Sequence, residues 1–123
     1  MGFQSLYLFM ITKEHLIEIM NAADNSPEKV ELQEHFANIC LYSTLANEIL
    51  APDFPRANEH HTIEQEVIMR KGIESTRTAR ESLEAIDKFC LKVGLEPITD
   101  VDLRDPAIFK TYADFISETV NSL

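Results

Sequence analysis

No proline interrupts the chain from residue 60 to residue 94, and a run of that length without a breaker reads as one helix, about 50 Å long if unbroken. Such a rod dictates the rest, because the other elements must pack along it. Its small and apolar positions advance in steps of three and four: Ile68, Gly72, Ser75, Ala79, Ser82, Ile86, Phe89 and Val93. That spacing is a helix seam. Off the seam lie Arg70, Lys71, Glu74, Arg77, Arg80, Glu81, Glu84, Asp87 and Lys88, a mixed-sign set that reads as a solvated face, with Glu74/Arg77 and Glu84/Lys88 spaced to pair.

The remaining punctuation marks three further helices. Thr12 is placed as an N-cap, with Ile11 and Leu16 as a hydrophobic staple, and opens a first helix that runs to about Ala23. Ser26 and Pro27 restart the chain as cap and first helical residue, and this second helix runs to about Ala51. Pro52 and Pro55 stop it. The long third helix starts between Asn58 and Thr62 and ends at Gly94, a left-handed cap that Pro97 prevents from continuing. Asp105 and Pro106 open the fourth, residues 106 to 121, with Ile108, Phe109, Tyr112, Ala113, Phe115, Ile116 and Val120 inward. Lys110, Asp114, Ser117, Glu118 and Asn121 fall on the side expected to face water.

These elements predict an all-α protein: an antiparallel up-down four-helix bundle in a single domain, residues 1 to 123, with a long hairpin of the second and third helices. The first nine residues read as a possible upstream extension, since Met10 is itself a plausible start. The first helix covers the beginning of the second and the fourth covers the end of the third. The far end of the hairpin is then left with two helices only.

The second helix carries the main irregularity. Up to Cys40 the apolar side holds Val30, Leu32, Phe36, Ala37 and Ile39, opposite Glu31, Glu34, His35 and Asn38. Beyond it the sides exchange. Leu41, Tyr42, Leu45, Ala46, Ile49 and Leu50 continue the charged side, and Ser43, Thr44, Asn47 and Glu48 the apolar one. One set of neighbours cannot cover both halves, so Leu41, Leu45, Ile49 and Leu50 are expected to form a two-fold homodimer interface, unless residues 3 to 11 cover them.

Composition narrows the functional classes. A formal charge of −10 argues against a nucleic-acid partner, whose phosphates require clustered Lys and Arg. The apolar run from Leu6 to Ile11 is too short to span a bilayer and lacks the basic flank of a signal peptide, so no membrane partner and a cytoplasmic setting are expected. Cys40 and Cys90 read as two buried reduced thiols with no basic neighbour to activate them.

No motif of high specificity is present. Small residues on the seam indicate close helix packing; the alternative is an apolar ligand pocket at Met69, Gly72, Ile73 and Ser75. Glu48, His60, His61 and Glu64 form a candidate divalent-metal cluster at the top of the hairpin. The His60 to Glu64 spacing matches one element of hemerythrin-like bundles, but the histidines such bundles require are missing. The repeated Glu-x-x-His of ferritin-like bundles and the His-x-x-Lys-Gly of phosphotransfer bundles are absent too. The reading that remains is a non-enzymatic interaction module without a cofactor, partnered by itself and open to another protein. A bundle that binds a small apolar ligand and a metal-dependent enzyme are the alternatives.

Overall fold

A computed structural model describes residues 12–98 and 105–123. The described residues form four helices and no strand: α1 Lys13–Asp24, α2 Lys29–Ile49, α3 Ile63–Val93 and α4 Pro106–Asn121. The local signals act where the sequence places them. The Thr12 hydroxyl accepts the His15 N–H at 3.1 Å and caps α1, and Asp105 accepts from Ala107 and Ile108 ahead of α4. Thr62 and Gln65 form a reciprocal capping box at the head of α3, and Gly94 closes that helix at φ 80°. Three bounds differ from expectation. α2 starts two residues later than Pro27, because residues 26 to 28 form a turn in which Ser26 Oγ accepts the Glu28 N–H. It ends at Ile49, and α3 starts at Ile63.

α2 and α3 run antiparallel and pack together along their length, from Glu28 and Lys92, which form an ion pair, to Ile49 against Gly72. A Cβ on Gly72 would fall 2.5 Å from Ile49 Cδ1, so the Ile49 side chain fills the space that the glycine leaves and would have to turn aside for a larger residue. The α3 seam is buried from Gly72 through Phe89, while Ile68 is half-buried and Val93 exposed.

The lower end holds the core. Leu16, Ile19, Ile39, Ile86, Phe109 and Ile116 are all 0% exposed. Two contacts fasten the loops around it: the His15 ring donates from Nε2 to the Glu96 carbonyl at 2.7 Å, and Asp87 accepts the Ile98 N–H at 2.7 Å. Asp87 therefore anchors the chain after α3 and is not a member of a solvated face.

α4 packs chiefly on α2, not on the end of α3 as the lengths suggested. It begins against α3, where the Arg80 guanidinium lies 4.4 Å over the Phe109 ring, and ends with Val120 beside Phe36 and Ala37. Arg80 is thus half-buried, and the ion pair on the water-facing side of α3 joins Arg77 to Glu81 at 3.6 Å.

The change of side in α2 is resolved by polar contacts inside the chain. Toward α3, its lower half presents His35 and Asn38, which meet Ser82 Oγ at 3.1 Å each, and its upper half presents Tyr42 and Ile49. Toward α1 and α4, the lower half presents Leu32, Phe36 and Ile39, and the upper half Ser43 and Asn47, which donate to Asp114. His35, Asn38 and Asp114 consequently turn inward, and Ser117 is buried, against the expectation that all four face water. Val30, expected inside, is 70% exposed.

Candidate functional site

Above Tyr42, α4 lies beside α2 on the flank where Ser43 and Asn47 donate to Asp114, whereas the opposite cleft between α2 and α3 is lined by no third helix among the described residues. Tyr42 packs on Phe109, ring centroids 4.7 Å apart. Beyond this point Ile49 of α2, its C-cap Leu50, and Met69, Gly72 and Ile73 of α3 line an open apolar cleft of about 270 Å³. Leu50 and Ile73 stand on opposite walls, 66% and 71% exposed. Cavities that enclose drug-sized molecules are usually larger, roughly 300 to 1,000 Å³, and closed on more sides.

Three of the four residues expected to form a ligand pocket, Met69, Gly72 and Ile73, line this cleft. Ser75 does not: it faces a separate depression with Asn38, Leu41, Lys71, Glu74 and Thr78, and its hydroxyl donates to the Gly72 carbonyl at 3.0 Å. The expected interface set divides as well. Ile49 and Leu50 line the cleft, Leu45 is 7% exposed beneath the surface, and Leu41 belongs to the opposite depression. These four do not make one surface, because a helix whose two flanks meet different neighbours distributes its apolar residues around more than half a turn.

The metal candidates are not assembled. Glu48, His60 and Glu64 are exposed, and His61 is half-buried with its ring 6.1 Å from that of Phe54. Its Nε2 is enclosed without a hydrogen-bond partner. Among the described residues, no group of three or more His, Cys, Asp or Glu is placed to hold a metal ion.

Two polar clusters escaped the sequence reading. In the first, Asn38 donates to Ser82 Oγ, which leaves the serine proton for His35 Nδ1 when the neutral ring carries its own proton on Nε2. A serine beside a histidine invites a catalytic reading, but Ser82 is 1% exposed between α2 and α3 and no substrate reaches it. The pair is a tie between helices. In the second, Asp114 accepts from Ser43 at 2.6 Å, Asn47 at 3.3 Å and Lys110 at 2.6 Å. Burial pushes its carboxyl up, but the hydrogen bonds from Lys110, Ser43 and Asn47 and the lysine charge outweigh it and hold the group below its ordinary value. Lys110 is an i,i+4 neighbour of Asp114 on the same helix, but the partners joined between helices stand 44 to 71 positions apart in sequence, so no local signal joins those.

Burial works against the reactive thiolate at both cysteines. Both cysteines are free. Burial first, and Asp87 second, push Cys90 up to about 11, and burial raises Cys40 against a hydrogen bond with Ser117.

No helix among the described residues is long and apolar enough to cross a membrane. No family model, no curated protein sequence and no solved structure matches this chain.

Proposed function

We propose that the chain is a non-enzymatic interaction module that works as a homodimer, with the cleft at the free end of the α2–α3 hairpin as its contact surface. One observation carries this reading: Leu50 and Ile73, large apolar side chains, stand in water on the two walls of a groove whose floor is also apolar. Contiguous exposed apolar surface marks an interaction site in soluble proteins more often than an idle one. Two-fold self-association is the commonest way to cover it.

Sedimentation equilibrium of the unmodified chain at tens of micromolar is expected to report a dimer. Leu50→Glu with Ile73→Glu is expected to give a monomer of unchanged helicity, because both residues lie outside the core. A clean monomer of the unmodified chain overturns the reading. A second reading, binding of a small apolar compound, is favoured by the same cleft gathering Met69, Gly72 and Ile73; a compound retained in native mass spectra would support it.

A further inference from the structure

We infer that the chain's own N-terminal apolar run, Leu6 to Ile11, docks in the cleft between α1, α2 and the end of α4. The run lies outside the described residues, and the point where it joins them limits where it goes. Its six residues are Leu, Tyr, Leu, Phe, Met and Ile, without a charge among them; such a stretch gains by leaving water. The next residue, Thr12, caps α1 in extended backbone, φ −87° and ψ 158°, so helical geometry ends there and the chain is free to double back along α1. One turn further on, the His15 ring meets the Glu96 carbonyl and holds this junction beside the lower end of α3.

Two apolar openings compete for the run. The upper one, at Ile49, Leu50, Met69 and Ile73, is out of range: α3 measures about 30 Å from Ile73 to Gly94, whereas a fully extended chain carries Leu6 only about 20 Å from Thr12. The run therefore leaves that groove to a second molecule. The lower cleft is in range. Met20 and Ala23 stand about 12 to 17 Å along α1 from Thr12, a distance that residues 6 to 11 span with slack. Met20, Ala23, Phe36, Ala37 and Val120 wall an opening of about 180 Å³, with Met20 half-buried and Ala37 exposed at its edge. That is less than pockets for free ligands usually enclose, and it suits one or two apolar side chains arriving on a tether. A tether this short presents the run at an effective concentration on the order of millimolar, so its own cleft is favoured over that of a neighbouring molecule.

The test uses the full chain, which contains no tryptophan, so that Leu8→Trp or Phe9→Trp introduces a single fluorescent reporter within the run. At least one of the two is expected to emit at the blue-shifted wavelength of a buried indole, unchanged on dilution. Adding Ala37→Glu sets a charge at the edge of the cleft and is expected to return the emission to that of an indole in water, with helicity by circular dichroism unchanged because Ala37 is exposed. Adding Leu50→Glu with Ile73→Glu, at the upper groove, is expected to leave the indole buried. Water-like emission from both reporters overturns the inference, as does a blue shift that Ala37→Glu leaves in place. A blue shift lost on dilution, or lost in the Leu50→Glu/Ile73→Glu chain, assigns the run to a second copy and overturns it too. The dimeric reading is decided separately, by sedimentation of the unmodified chain.

Discussion

Phe89 is 3% exposed within the cluster that holds Ile86, Phe36, Tyr112 and Ile116. Its truncation removes a ring from a site walled by several helices, where collapse around the void is restricted. Phe89→Ala is expected to cost about 3 to 5 kcal/mol in urea melts. That residue was legible because the seam spacing alone puts it inside. Arg80 was not, since a guanidinium on a helix flank reads as solvated until an aromatic ring, here Phe109, is brought beneath it.

At the scale of the element, α2 shows why a helix can look inconsistent in sequence and still be continuous. Its polar residues turn inward twice, and each time a partner helix supplies what they need, Ser82 from α3 and Asp114 from α4. The Asp114 contact gives a pH-dependent prediction. Its native pKa lies below the ordinary value of 3.8, so its contribution is fully present above the unfolded pKa and is lost as pH falls through the native one. Asp114→Asn is expected to destabilise by about 1 to 2 kcal/mol at neutral pH, through loss of charge-assisted hydrogen bonds. In paired denaturation curves the gap between the two proteins should narrow as the pH falls below about 4. A gap that is constant from pH 7 to pH 2 would show that Asp114 gains nothing from its neighbours when ionised.

For the whole molecule, the uneven cover of α3 sets a gradient of local stability. Its lower two-thirds face α2 and the buried cluster, while its first turns, headed by the Thr62 capping box, have no helix but α2 packed against them among the described residues. Segments with few buried contacts open without global unfolding. Hydrogen exchange on the Leu50→Glu/Ile73→Glu chain is expected to be about tenfold or more faster at residues 65 to 73 than at residues 79 to 90. Equal protection along the helix would mean that the free end of the hairpin is as cooperative as the core.

Element types, most boundaries and the seam of α3 were determined by the sequence by itself, because prolines, caps, Gly94 and apolar spacing act on residues within a turn or two of themselves. The apolar groove was only partly legible: Leu50, Ile49, Met69 and Ile73 line it, whereas Leu41 and Leu45 do not belong to it. Tertiary structure alone decided which way His35, Asn38, Ser43, Asn47 and Asp114 face. A polar side chain is excluded from a core by the loss of its hydrogen bonds to water, and that penalty disappears when a partner tens of residues away supplies them. Periodicity registers only that the residue is polar, so the inward turn of α2, and with it the apolar surface left open at the end of the hairpin, emerges once the helices are in contact.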